Sequence, residues 1–147
     1  KEELDIILQL YRNEIKKKSI VVNNQVAANH SVFADLQQFN IIFRNLINNA
    51  IKFTPNNGMI TISTKIKNKN LVIEVSDTGV GMTETDVQKL FSSSENFSSY
   101  GTNSEKGTGL GLRLVKAMVI KNNGEIMVKS EPNKGSQFIV ELPIDIK

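Results

Sequence analysis

Apolar residues at Leu4, Ile7, Leu8, Tyr11 and Ile15 recur at the spacing of one helix face. The segment closes on Lys16-Lys17-Lys18, a basic last turn that suits the negative end of a helix dipole. This pattern predicts one helix over residues 4–18. Ser19-Ile20-Val21-Val22 reads as a short strand, and Val32-Phe33-Ala34 as a candidate second one. Asp35 then opens the clearest helix, with a carboxylate at the N-cap and Gln38 at the capping-box position. Leu36, Phe39, Phe43, Leu46, Ile47 and Ala50 form its apolar stripe, and Thr54-Pro55-Asn56-Asn57-Gly58 ends it.

Two alternating segments follow. Ile60, Ile62 and Ile66 are spaced for one sheet face, as are Leu71, Ile73 and Val75, and Asn68-Lys69-Asn70 joins the two segments as a hairpin. By parity Asp77 falls on the core-facing row of Leu71, Ile73 and Val75, where a carboxylate needs a partner. Thr83 caps a short helix running to about Phe91. Residues 92–106, with six serines and two asparagines, show little periodicity; loops of this length are usually functional lids or disordered. Gly107-Thr108-Gly109-Leu110-Gly111 leads into a helix carrying Leu112, Val115, Met118 and Val119, which Asn122-Asn123-Gly124 ends. A last hairpin pairs residues 125–130 with 136–142. Helices interspersed with antiparallel hairpins predict an α+β two-layer sandwich: a mixed, mainly antiparallel sheet with helices on one face.

The 147 residues suit one domain with a core of its own. The chain has no cysteine, which excludes zinc-thiolate sites, iron–sulfur clusters and thiol catalysis. Eighteen Lys and Arg against fifteen Asp and Glu leave a net charge of +3, spread too evenly to force a nucleic-acid surface. No apolar run approaches the roughly 18 residues of a membrane span, and no signal peptide is visible. The first residue is Lys1 rather than Met, so the chain reads as a piece of a longer polypeptide.

Three features carry candidate chemistry. Asn45, Asn49 and Lys52 fall within an arc of about 60° on a helical wheel. Two amides and a cation on one line suit a hydrated magnesium ion and a polyphosphate, although a solvated polar face has the same pattern. Asp77-Thr78-Gly79-Val80-Gly81-Met82 ends a strand with a carboxylate able to accept from an exocyclic amine, beside glycines that admit a flat ring; a plain Asp-Thr-Gly turn is the simpler reading. The glycine triplet 107–111 precedes a helix and offers free backbone amides to an anion. It follows no strand and carries no Lys-Ser/Thr, so it fits neither the dinucleotide fingerprint nor a Walker A loop.

Their order and spacing are more specific than any one of them. Phe43-Arg44-Asn45-Leu46-Ile47-Asn48-Asn49-Ala50-Ile51-Lys52-Phe53-Thr54 resembles the N box of sensor histidine kinases. Asp77-x-Gly79-x-Gly81 resembles the G1 box, Gly107-Thr108-Gly109-Leu110-Gly111-Leu112 the G2 box, and Lys134-Gly135-Ser136-Gln137-Phe138 the glycine-Ser/Thr-x-Phe signature of the final hairpin. The resemblance runs over residues 4–142 and is to the GHKL superfamily, whose ATP-binding domain has the Bergerat fold. It implies Asn49 as magnesium ligand, with Asn45 and Lys52 contacting phosphates or helping to order the site. It implies Phe53 packing on adenine, Asp77 accepting from the adenine amine, Gly79, Gly81 and Met82 shaping that pocket, and Ser136 beside it. Gly107, Thr108, Gly109, Leu110 and Gly111 would cradle the phosphates, Lys106 would reach the γ-phosphate, and 92–106 would be the ATP lid.

The same resemblance implies a kinase that transfers the γ-phosphoryl group of Mg-ATP to a histidine on a separate, dimeric acceptor domain, from which the first helix would continue. A response-regulator receiver domain would act downstream, the location would be cytoplasmic, and any membrane contact would come through the parent protein. The sequence departs from the family at the F box, where Ser92-Ser93-Ser94-Glu95-Asn96 lies between Phe91 and Phe97. The one histidine, His30, precedes Ser31 rather than an acidic residue and reads as a loop histidine. Hydrolysing superfamily members carry a Glu where this chain has Asn45, which disfavours a gyrase-type ATPase. An anti-sigma serine kinase and a non-catalytic nucleotide sensor stay open on sequence grounds.

Overall fold

The long helix that Asp35 caps organises the molecule. The computed structural model describes residues 1–91 and 111–144. In it α3 (Leu36–Phe53) buries Phe39, Ile42, Phe43, Leu46, Ile47, Ala50 and Ile51. That face is wider than the expected stripe. It includes Ile42 and Ile51, while Leu36, in the first turn, stays 57% exposed. Phe39 and Phe43 stack one turn apart, ring centroids 4.5 Å from each other.

Beneath α3 lies a five-stranded sheet in the order β1-β2-β3-β5-β4. Strands β2 (Met59–Lys67) and β3 (Asn70–Asp77) form the first hairpin, and β4 (Glu125–Glu131) and β5 (Gly135–Pro143) the second. β3 pairs antiparallel with both β2 and β5, and β4 with β5. Only β1 (Val21–Gln25) runs parallel, along β2. Ile60 and Ile62, Leu71, Ile73 and Val75, and Phe138, Val140 and Leu142 meet the helices. The opposite face carries Thr61, Ser63, Glu74, Ser76 and Gln137, with Glu74 accepting from Gln137 at 2.9 Å. The structure is thus the expected two-layer α+β sandwich with helices on one face.

Several local expectations are corrected. Residues 4–18 are not one helix: α1 (Glu2–Leu10) and α2 (Arg12–Lys17) break at Tyr11, whose ψ of 12° leaves the helical path. The apolar face itself persists across the break: Leu4 and Ile7 are buried, and Leu8, Tyr11 and Ile15 pack against the same core. The first strand begins later and ends later than residues 19–22. Ser19 takes a left-handed φ of 52°, and the polar run Asn23-Asn24-Gln25 is drawn into an edge strand. Asn24 is fixed there by donating to Asp5 Oδ1 at 2.7 Å. Val32-Phe33-Ala34 is not a strand; its backbone only touches the sheet, through the Phe33 amide donating to the Pro143 carbonyl at 2.9 Å. Ile66 continues the alternation of β2 but is 59% exposed, beyond the reach of the helical layer.

The turns are cleaner. Asn68 and Lys69 both have positive φ, the two-residue loop that matches hairpin twist. Thr83 caps α4 (Glu84–Lys89) by accepting from the Asp86 amide at 3.2 Å. α5 (Gly111–Lys121) ends where Asn123, at φ 57°, lets the Gly124 amide reach the Val119 carbonyl at 2.9 Å. Asp35 accepts from the Gln38 amide at 2.8 Å, but the expected return bond of a capping box is absent. Asn122 replaces it, accepting from the Asp35 amide and donating to Gln38 Oε1, both at 2.8 Å. The start of α3 is thereby tied to the end of α5.

Candidate functional site

Asp77 is the last residue of β3 and, as parity requires, shares the core-facing row with Leu71, Ile73 and Val75. It is 8% exposed. Burial pushes its carboxyl up to about 6, against the opposing pull of the backbone amides of Gly79 and Ser136. The Gly79 amide donates to Oδ1 at 2.8 Å. A carboxylate has about four acceptor positions, so two backbone amides leave capacity for a further donor.

The loop after Asp77 folds against the end of α3. The Val80 amide donates to the Phe53 carbonyl at 3.1 Å. Gly79 is required by that approach, since a Cβ there would run into the Phe53 carbonyl and Asp77 Oδ1. The tip of the second hairpin closes on the same loop: the Asn133 amide donates to the Val80 carbonyl at 2.7 Å, and Gly135, at φ 92°, lies so close to the Asp77 carbonyl that no Cβ would fit. Ser130 Oγ accepts from the Met82 amide at 2.9 Å, donates to the Gly135 carbonyl at 3.0 Å and lies 2.8 Å from Ser136 Oγ. A cleft of about 760 Å³ opens here, with Asp77, Met82, Ser130 and Ser136 in its wall; Phe53, Gly79, Gly81 and the α3 residues Asn45, Asn49 and Lys52 do not line it. Another hollow of about 360 Å³, near Leu4, His30 and Phe39, holds none of the candidate residues.

Asn45, Asn49 and Lys52 share one face of α3 and are all half-buried. Asn45 donates through Nδ2 to the Ile41 carbonyl at 2.7 Å, which turns its amide oxygen away from that carbonyl. The oxygen faces Gly111, where a Cβ would stand 2.5 Å from it. The first residue of α5 is thus brought against Asn45. Asn49 makes no side-chain hydrogen bond among the described residues; an amide oxygen is a ligand type that a hard cation accepts. No three His, Cys, Asp or Glu side chains cluster as a metal site among the described residues. Lys52 Nζ lies 5.4 Å from the centroid of the half-buried Phe53 ring.

Lys106, Gly107, Thr108, Gly109, Leu110, the proposed lid at 92–106 and Phe97 lie outside the described residues. His30 is bonded through Nδ1 to Thr64 Oγ1 at 2.8 Å, a loop contact remote from Asp77. Two residues of this region escape a reading of patterns. Ser130 sits in an ordinary strand and signals nothing. Lys18, read as a dipole-matched end of the first helix, is instead 4% exposed and donates to carbonyls at the end of α3.

Residues 34–146 match the family profile described as histidine kinase-, DNA gyrase B- and HSP90-like ATPase. The autoinducer 2 sensor kinase/phosphatase LuxQ of Vibrio vulnificus is 36% identical over 98% of this chain and 18% of its own length. The signal transduction histidine-protein kinase ArlS of Staphylococcus aureus is 38% identical over 69% of this chain and 22% of its own. The chain spans less than a quarter of the length of either relative. The solved catalytic domain of the histidine kinase ThkA, in a nucleotide-free form, superposes with a TM-score of 0.84 at 27% identity, covering 97% of this chain and 92% of that one. The chain belongs to the histidine kinase-, DNA gyrase B- and HSP90-like ATPase family, and within it to the catalytic domains of sensor histidine kinases.

Proposed function

We propose that this domain binds Mg-ATP and delivers the γ-phosphoryl group to a histidine on a separate dimeric acceptor domain of the same parent protein, as the catalytic part of a two-component sensor kinase. The observation that carries this reading is Asp77: a nearly buried carboxylate at a strand end, held by two backbone amides, with acceptor capacity left over beside a cleft. A purine amine is the ligand such a group suits. Gly79, Gly81 and Met82 shape the pocket, Ser136 adjoins it, and Phe53 packs on the base.

From that anchor the polyphosphate extends toward α3. Asn49 holds the magnesium, while Asn45 and Lys52 contact phosphate oxygens. Gly111 ends a cradle made with Gly107, Thr108, Gly109 and Leu110; Lys106 reaches the γ-phosphate, and 92–106 closes over the nucleotide as the lid. The fit of Asn49 rests on its half-buried place on α3, where no described residue hydrogen-bonds its side chain. Bound magnesium supplies charge neutralisation across the phosphates. In the transfer, the bond from the β–γ bridging oxygen to the γ-phosphorus breaks, a nitrogen–phosphorus bond forms on the acceptor imidazole, and ADP leaves. Phosphoryl transfer of this kind needs chiefly positioning and electrostatics, which a rigid helix face provides.

The whole chain acts as one catalytic and ATP-binding domain, with its first helix continuing from the acceptor hairpin. A response-regulator receiver domain takes the phosphoryl group next. Among the described residues no helix is long and apolar enough to cross a membrane; we assign the domain to the cytoplasm and any membrane attachment to the parent protein.

The test mixes the chain with the histidine-bearing helical hairpin of its parent protein and γ-labelled ATP. Acid-labile, base-stable label should appear on the hairpin in the presence of magnesium and not with Asp77→Ala. Labelling that ignores Asp77→Ala, or no labelling at all, overturns the reading.

A further inference from the structure

The last turn of a helix leaves carbonyls without intrahelical donors. At the end of α3 an unusual residue satisfies them. Lys18 is buried, and its Nζ donates to the carbonyls of Ile51 at 2.9 Å, Lys52 at 3.0 Å and Thr54 at 3.3 Å. The carbonyl in between, that of Phe53, accepts from the Val80 amide at 3.1 Å. One cation and one amide of the Asp77–Met82 loop therefore share four successive carbonyls. Lys18 reaches across 33 to 36 residues of sequence to do so, and its own carbonyl accepts from the Asn57 amide at 2.9 Å, locking the turn after α3 to the same point.

We infer that Lys18 is a positioning residue for the nucleotide site: its ammonium fixes the end of α3 so that the Phe53 carbonyl presents the Gly79-Val80 backbone, and with it the Asp77 carboxylate, to the base. An ammonium at the negative end of a helix dipole is favourably placed, and its three donors match the three carbonyls. Without it, each of those three carbonyls loses a charged donor. The last turn then loosens where Phe53 and Lys52 are mounted, and Gly79, packed against the Phe53 carbonyl and Asp77 Oδ1, has no slack to absorb the shift. The link also joins α2, in the segment leading into the domain, to the base pocket through one side chain.

The inference rests on the nucleotide-binding reading above, and the experiment separates the two. ADP and adenosine affinities are measured by calorimetry for the parent chain, Lys18→Met, Lys18→Arg and Leu142→Ala, together with the amide chemical shifts of Gly79 and Val80 without nucleotide. Leu142 is fully buried beside Leu71, at the opposite end of β3 from Asp77, so its variant matches a general loss of stability. Lys18→Met should weaken ADP and adenosine by the same factor, tenfold or more, and move both amides; Lys18→Arg should recover part of each effect. Leu142→Ala should lower Tm and leave both affinities within twofold. Should Lys18→Met not fold, Lys18→Arg carries the test, with a severalfold loss expected and none overturning the inference. Lys18→Met with parental affinities and unmoved amides overturns it. A parent chain that binds neither ligand overturns the nucleotide reading, while the amide shifts still decide whether Lys18 holds the loop.

Discussion

The side-chain oxygen of Asn45 faces the α-carbon of Gly111, and a methyl group on that carbon would stand 2.5 Å from it. Two motifs some sixty residues apart are thereby in contact without an intervening side chain. Gly111→Ala forces Asn45 to swing aside and give up its bond to the Ile41 carbonyl. The propensity gain of alanine over glycine, up to about 1 kcal/mol in a helix interior, is smaller at this first residue of α5 and is opposed by the displaced Asn45, so Tm should change little. Affinity for Mg-ADP should nevertheless fall by roughly tenfold, about 1.4 kcal/mol. Thermal melts beside calorimetry check this; unchanged affinity would mean that Asn45 and Gly111 do not flank the phosphates.

Asp77 makes two quantities depend on pH in opposite senses. Its carboxyl is raised from 3.8 to about 6 by burial. The folded state therefore binds the proton more readily than the unfolded one. The stability this confers is fully present below about pH 4 and is lost as pH rises through about 6, a difference on the order of 3 kcal/mol. Asp77→Asn should accordingly be more stable than the parent at pH 7.5, and that advantage should vanish by pH 4 in denaturant titrations. Adenine binding runs the other way. The exocyclic amine donates to the ionised carboxylate, so adenosine affinity should fall about tenfold per unit below pH 6. Affinity that stays flat from pH 7.5 to 5 would remove Asp77 from the base contact.

Much of this architecture was legible from periodicity, because it depends on neighbours in sequence. The hairpin over residues 59–77, the Asp35 and Thr83 caps and the core-facing parity of Asp77 are all local patterns. What could not be read depends on distant partners. Gln38 has the right spacing for a capping box, yet Asn122, 84 residues away, takes its side chain. Asn23-Asn24-Gln25 has poor strand propensity and pairs because β2 offers an open edge. Lys18 reads as a dipole-matched helix end, and only the position of α3 shows that it is buried. Ser130 enters the site by packing beside Met82, which no spacing announces.

Asn49 and Asp77 should separate by ligand. Asn→Ala in a helix interior relieves about half a kcal/mol of propensity cost, so Asn49→Ala should be at least as stable as the parent. Its affinity for ADP in the presence of a chelator should be unchanged, while the gain on adding magnesium should shrink severalfold, as expected when one oxygen ligand of a mostly hydrated cation is lost. Asp77→Ala should do the reverse, abolishing measurable binding of ADP and adenosine with or without magnesium. Titrations of both variants in magnesium and in chelator give the four numbers needed. A full magnesium response in Asn49→Ala would relocate the cation.

Asn45 decides what the bound nucleotide does while no acceptor is present. Its nitrogen is already committed to the Ile41 carbonyl, and its oxygen is an amide oxygen, far too weak a base to take a proton from water. An imidazole needs no such help, being a competent nucleophile near neutral pH. The chain alone should therefore release phosphate from ATP slowly, and adding the acceptor hairpin should accelerate ADP formation by more than tenfold, with phosphate retained on histidine. Asn45→Glu places a carboxylate on the same helix face, where it can serve as the base that the parent lacks. That variant should gain hydrolysis in the absence of acceptor while losing transfer, because a second negative charge opposes the phosphates. Coupled phosphate-release assays with and without the hairpin measure both. Fast release by the parent chain alone would show that a base other than residue 45 activates water.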